Sequence, residues 1–219
     1  MNLANNIKSV EDNLVHTPCK LVIVTKMRPI QDLADLYALG YKIFGENRVQ
    51  DMVEKYEALP KDIEWHMIGH LQTNKVKYIA PFVSIIHSVD SMHLLQEIDK
   101  QAKKNNRTIP CLLQIYIAQE DTKYGLTAHE AEQILASKEL VLLQNIKICG
   151  VMGMATFTDD SKQVQNEFNS LKNIFFNLQK YSTANINFTE ISMGMSHDYL
   201  IAVQEGSTMV RIGSLIFQS

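Results

Sequence analysis

Short apolar runs rich in β-branched residues alternate with amphipathic helical stretches along the whole chain, and no other feature limits its fold so tightly. The runs are Leu21–Lys26, Tyr41–Phe44, Glu64–Ile68, Val83–His87, Cys111–Ile117, Ile146–Met152, Phe188–Met193 and Met209–Gly213. Between them lie stripes of helical spacing, such as Ile30, Leu33, Leu36 and Tyr37 after Pro29, and Val164, Phe168, Leu171, Phe175 and Leu178 in the longest helix. Thr127 and Glu130 form a capping box at the start of another. Helices in place of hairpins imply parallel βαβ units, and eight strands imply a closed α/β barrel of the TIM (β/α)8 type. Leu3, Ile7, Val10 and Leu14 add a helix ahead of the first strand. An open doubly wound sheet would carry a glycine-rich loop after its first strand, where this chain has Lys26-Met27-Arg28-Pro29. The length of 219 residues suits one barrel, so residues 1–219 are expected to form a single domain.

Charge and composition exclude several classes of partner. Lys and Arg number 21 against 24 Asp and Glu, a net charge of −3, and no basic block stands out, so nucleic acid is not expected. No basic leader opens the chain, and no apolar run approaches the roughly 20 residues that span a bilayer, so a cytoplasmic protein without membrane contact is expected. Cys19, Cys111 and Cys149 lack metal-binding spacing and read as reduced residues. His66 and His70 stand four apart, but on a strand running into a loop, and without the intervening glutamate of a zinc protease. They read as structural or pocket-lining histidines, and no metal is expected.

In such a barrel, function gathers where strands end and βα loops begin. Lys26 closes the first strand. A lysine there either snorkels to water or, partly desolvated against apolar walls, keeps enough free amine to condense with an aldehyde. Ser192-Met193-Gly194-Met195-Ser196 follows the seventh strand and Arg211-Ile212-Gly213-Ser214 closes the eighth, the place where barrels often bind a phosphate. Ser196 could equally cap the helix beginning at Asp198. Arg211, inside a buried strand with no evident acidic neighbour, needs a partner, and a ligand could supply it.

Val24-Thr25-Lys26, Phe44-Gly45-Glu46-Asn47-Arg48-Val49-Gln50, Trp65 to Lys75, Ser192 to Ser196 and Gly206 to Gly213 together resemble the pyridoxal phosphate homeostasis proteins, the YggS or proline synthase co-transcribed type. The resemblance runs in order over essentially the whole chain. It implies a barrel like the amino-terminal domain of alanine racemase, with pyridoxal 5'-phosphate (PLP) held as a Schiff base on Lys26. It further implies that Met195, Ser196, Gly213 and Ser214 hold the phosphate, that Arg211 faces the pyridine nitrogen, and that Asn47 lies near the ring. Lys123 is the second lysine to consider for the imine.

Two functions compete under this resemblance: a carrier that holds PLP for vitamin B6 homeostasis, and a PLP-dependent racemase of the alanine racemase type. An arginine against the pyridine nitrogen disfavours its protonation and so weakens the electron sink that carbanion chemistry needs. A racemase also needs a base on each face of the substrate carbon, and in alanine racemase a second domain supplies one. A monomeric carrier without catalytic turnover is therefore expected, with apo PLP-dependent enzymes as its recipients. An aldolase using Lys26 without a cofactor would leave Arg211 and the phosphate loops unexplained.

Overall fold

The computed structural model describes residues 3–119 and 124–218, so Lys123 lies outside the described residues. Eight parallel strands close on themselves in chain order, β1-β2-β3-β4-β5-β6-β7-β8. They are β1 Lys20–Val24, β2 Ile43–Glu46, β3 Glu64–Met67, β4 Ile85–Val89, β5 Ile109–Gln114, β6 Ile146–Met152, β7 Ile186–Ser192 and β8 Met209–Ile212. Closure comes from β1 against β8, with Lys20 opposite Met209 and Ile23 opposite Ile212. The principal helices are α1 Leu3–Glu11, α2 Ile30–Ala38, α3 Val49–Ala58, α4 Val76–Ile79, α5 Met92–Lys104, α6 Ala128–Ala136, α7 Lys138–Val141, α8 Ser161–Leu178 and α9 Tyr199–Gln204. The result is the expected (β/α)8 barrel, with α1 as the additional helix ahead of the first strand. Asn6 of α1 ties it to the segment after β8 by donating to the carbonyls of Ile216 and Gln218, each at 3.0 Å.

Local signals act where they were read. Thr127 accepts from the Glu130 N–H, and the Glu130 carboxylate in turn accepts from the Thr127 N–H at 2.8 Å. Ser91 caps α5 by accepting from Leu94 N–H. The stripe of α8 buries Val164, Phe168, Leu171, Phe175 and Leu178 against the sheet. Most of the apolar core lies in this outer layer between helices and strands. Inside the barrel a smaller cluster, Val22, Ile85, Leu112, Met152 and Met209, fills the space. Polar groups share that interior, including His66, His87, Gln114, Ser192 and Arg211, all buried.

Several strand ends differ from the sequence reading, and three of the differences bear on the site. Gly45 and Glu46, beyond the apolar run Tyr41–Phe44, continue β2 and pair with His66 and Met67. Glu46 can stay in a buried strand because Lys55 of α3 reaches it. β1 stops at Val24, so Lys26 belongs to the turn beyond it. β4 lies two residues later than the apolar run suggests, since His87 and Ser88 are as buried as the aliphatic residues around them.

Phe168 is fully buried at the centre of the α8 stripe. Phe168→Ala is expected to cost about 3–5 kcal/mol, read as a lower urea midpoint with an unchanged slope. A loss under about 1 kcal/mol would mean that the site refills and that α8 is not held by this ring.

Candidate functional site

The β1 strand leads into a tight turn. Arg28 N–H donates to the Thr25 carbonyl at 3.1 Å, and Met27 takes φ +60°, a left-handed conformation that a non-glycine residue adopts only when its surroundings require it. Lys26 precedes Met27 and is exposed. This corrects the expectation of a lysine desolvated by apolar walls, because the turn lifts the side chain out of the sheet. A cavity of about 380 Å³ opens beside it, lined by Val24, Lys26, Met27, Arg28, Gly213, Ser214 and Phe217. Barrel closure thus puts Lys26 and the end of β8 on one wall, and the Arg28 guanidinium covers Phe217 at 4.3 Å from the ring centre.

A buried ion pair holds this turn from below. Lys55 Nζ donates to Glu46 Oε1 at 2.5 Å and to the Thr25 carbonyl at 2.8 Å, and Thr25 Oγ1 donates to the same Glu46 oxygen at 2.6 Å. Lys55 and Glu46 are 5 % and 0 % exposed, so neither charge has water to fall back on. Nothing in the spacing of α3 marked Lys55 as buried. The one available signal was Glu46, an acid at a strand end that would need a cation.

Asn47 follows β2 and is half-buried. A Cβ on Gly69 would lie 2.4 Å from the Asn47 carbonyl oxygen, so glycine at 69 is what lets the β3 loop close over the β2 loop and fix Asn47.

The loops after β7 and β8 meet through Ser196, whose Oγ accepts from Gly213 N–H at 3.3 Å and from Leu215 N–H at 3.5 Å. Among the described residues no acceptor takes the hydroxyl hydrogen. Ser196 does not cap the following helix, which begins at Tyr199 after Asp198. Asp198 instead turns back, its Oδ1 accepting from Met195 N–H at 2.5 Å. Met195 is thus at the expected loop, but its N–H already has an acceptor. Ser214 is exposed at the rim and Gly213 half-buried behind it. Among the described residues, no protein acceptor takes the backbone N–H of Ser196 or of Ser214.

Arg211 is 4 % exposed inside the barrel. It donates from one terminal nitrogen to Ser192 Oγ at 2.6 Å and from the other to the Gly153 carbonyl at 3.1 Å. Among the described residues no carboxylate lies within ion-pair distance of it, and Asp198 acts only from further off. Burial pushes its pKa down to about 10, with Asp198 opposing, so it remains a cation at neutral pH. Beyond Ser192 stand two residues that sequence reasoning did not assign to the site together. His87 Nδ1 is 2.9 Å from Ser192 Oγ, and His87 Nε2 is 3.0 Å from His66 Nδ1. Burial, and then the Lys20 charge, brings the His66 pKa down to about 3. Burial, then His66 and Arg211, hold His87 well below the ordinary imidazole value. Both rings are neutral.

His70 goes elsewhere. It lies 3.4 Å from Asp90 and stacks on Tyr124 at 5.0 Å, while His66 points into the barrel. The pair has no common ligand position, and among the described residues no group of three His, Cys, Asp or Glu could hold a metal ion. No helix of the described residues is long and apolar enough to cross a membrane.

The donor set suits an anionic aldehyde: an accessible amine, unengaged N–H groups with a hydroxyl at the rim, and a buried cation without a carboxylate partner. Comparison with known proteins agrees. The alanine racemase N-terminal domain model matches residues 1–219. A pyridoxal phosphate homeostasis protein of Aquifex aeolicus is 41% identical over 200 residues, covering 90% of this chain and 86% of that protein. PipY of Synechococcus elongatus, solved without PLP, superposes with a TM-score of 0.91 at 32% identity over 99% of this chain and 100% of its own. Its PLP-bound form gives 0.88 at 31%, with the same coverage. Alanine racemase of Clostridium difficile shares the fold, with a TM-score of 0.83 at 16% identity, covering 100% of this chain and 60% of the racemase.

Lys55→Met strands the Glu46 carboxylate in the interior and should cost about 3–5 kcal/mol in urea unfolding, most of it regained when Glu46→Gln is added. An additive double mutant would dissolve the pair as a unit.

The two buried imidazoles set a pH dependence. Their folded pKa values lie below the unfolded value of 6.5, so protonation favours the unfolded chain. Stability is complete above that pH and falls as pH drops, each ring contributing up to about 1.4 kcal/mol per pH unit. Urea unfolding between pH 7.5 and 5 measures the slope. His87→Asn should reduce it by about half, and an unchanged slope would assign the loss to other groups.

Proposed function

We propose, from the premise that this chain belongs to the alanine racemase N-terminal domain family and to the pyridoxal phosphate homeostasis proteins within it, that it holds PLP covalently through Lys26 and yields it to other proteins. The Aquifex aeolicus relative is named a pyridoxal phosphate homeostasis protein, and PipY has been solved with PLP bound. PLP supplies an aldehyde that condenses with an amine, releasing water, and a pyridine ring that can draw electrons. The observation that carries the reading is the shared wall of the β1 turn and the β8 loop, where Lys26 lines the same cavity as Gly213 and Ser214.

Each residue has a defined part in this reading. Lys26 Nζ, exposed on its turn, is the nucleophile, and Glu46 with Lys55 keeps the turn in place. Ser196 offers its hydroxyl hydrogen and Ser214 its N–H to the phosphate, with Gly213 allowing close approach. Met195 contributes shape rather than its N–H, which Asp198 holds. Asn47, pinned by Gly69, borders the ring.

Arg211 is the residue that argues for a carrier over a racemase. A guanidinium that stays charged at neutral pH cannot accept a proton and opposes one on a neighbouring pyridine nitrogen, so the ring is left a poor electron sink. Because Lys26 is exposed, PLP held there would be open to exchange with an incoming amine.

Loaded protein should show a near-visible absorption band, and borohydride should convert it to a mass adduct on Lys26. Lys26→Ala should lose both while keeping its circular dichroism. A band that survives in Lys26→Ala moves the attachment point, with Lys123 next to be replaced. Ser196→Ala should weaken PLP binding by about tenfold to a hundredfold, the equivalent of about 1–3 kcal/mol. Incubation with a cofactor-free acceptor enzyme should restore that enzyme's activity, while turnover on common amino acids stays negligible. Sustained racemisation of any one of them would favour the enzyme reading.

A further inference from the structure

Arg211 needs something to aim it. Among the described residues it has no adjacent carboxylate, and its acceptors there are one serine hydroxyl and one backbone carbonyl. A hydroxyl can accept from the guanidinium and still has a hydrogen of its own to place. For Ser192 that place is His87 Nδ1, 2.9 Å away. His87 must then carry its hydrogen on Nε2, from which it donates to His66 Nδ1 at 3.0 Å. His66 in turn carries its hydrogen on Nε2 and borders a separate cavity of about 230 Å³ at the opposite mouth of the barrel, shared with Lys20, Glu64, Cys149 and Glu190. In the reverse arrangement Ser192 Oγ would accept from both Arg211 and His87, and its own hydrogen would have no acceptor among the described residues.

We propose that His87, braced by His66, is a positioning residue for the cofactor site: through Ser192 it fixes the Arg211 guanidinium, in one directional hydrogen-bond chain that crosses the barrel interior. This rests on the carrier reading, in which Arg211 faces the pyridine nitrogen. Each group in the chain donates away from Arg211, so the negative ends of successive dipoles face the cation. A neutral chain does what a carboxylate would not. It holds the guanidinium in place without cancelling its charge, and the cation goes on opposing protonation of the ring nitrogen.

The tautomers can be read without cofactor. Long-range proton–nitrogen correlation of the imidazoles in 15N-labelled protein should show both His66 and His87 neutral, with hydrogen on Nε2. Absorbance titration with PLP then compares variants. His87→Leu and Ser192→Ala should bind about tenfold more weakly and shift the near-visible band, whereas His87→Asn, whose Oδ1 can take the place of Nδ1, should stay within about threefold of the parent. Circular dichroism confirms that each variant folds, and Ser192→Ala carries the comparison if His87→Leu does not. Hydrogen on His87 Nδ1, or equal affinity in His87→Leu and His87→Asn, would overturn the proposal. A parent protein that binds no PLP at all would overturn the carrier reading itself, an outcome distinguished by the tautomer measurement, which needs no cofactor.

Discussion

Pairing of β1 with β8 is the contact on which the rest of this molecule depends. These strands are almost two hundred residues apart in the chain, and until they pair, Lys26 and Gly213 have no reason to be neighbours. Once they do, the turn after β1 and the loop after β8 share a cavity wall, and Ser196 reaches across from the loop after β7. Closure also removes every free sheet edge, so the strands can be short and still leave no unpaired backbone row for another chain to join.

The barrel interior is divided between packing and polar order. A small apolar cluster supplies density, and the remaining space belongs to groups that would be costly there alone. Two networks make them tolerable. Glu46 and Lys55 neutralise one another under the lysine turn, with Thr25 donating to the same carboxylate, and Arg211 donates to Ser192, which stands in contact with His87 and, through it, His66. Neither network is an economical way to gain stability, since apolar residues of similar volume often serve as well or better. Each instead fixes a direction: the first for the backbone that carries Lys26, the second for a guanidinium.

A shared fold does not settle activity. The racemase of similar architecture is 16% identical, and the likeness extends to the barrel alone. The carrier reading proposed above rests on local chemistry, a buried Arg211 that stays charged and a Lys26 exposed on its turn. A fold supplies positions and the residues at those positions supply function.

The alternation of β-branched runs with helical stripes was enough, by itself, to determine the barrel class, and the polar residues at strand ends marked the face on which to look for a site. Lys26, Ser196 and Arg211 stood out as candidates because each is out of place by type: a lysine after a buried strand, a serine at a glycine loop, an arginine within a strand. Lys55, His87 and Ser192 were not, because nothing in their own segments separates them from ordinary surface or core polar residues. Their roles come from partners 9, 21 and 19 positions away. Likewise, only the tertiary structure decided that Lys26 would stand exposed on a turn and that the Met195 N–H would be taken by Asp198. Periodicity is a property of one segment and is written in the chain. The pairing of buried polar atoms is a property of several segments at once, and it exists only after the barrel has closed.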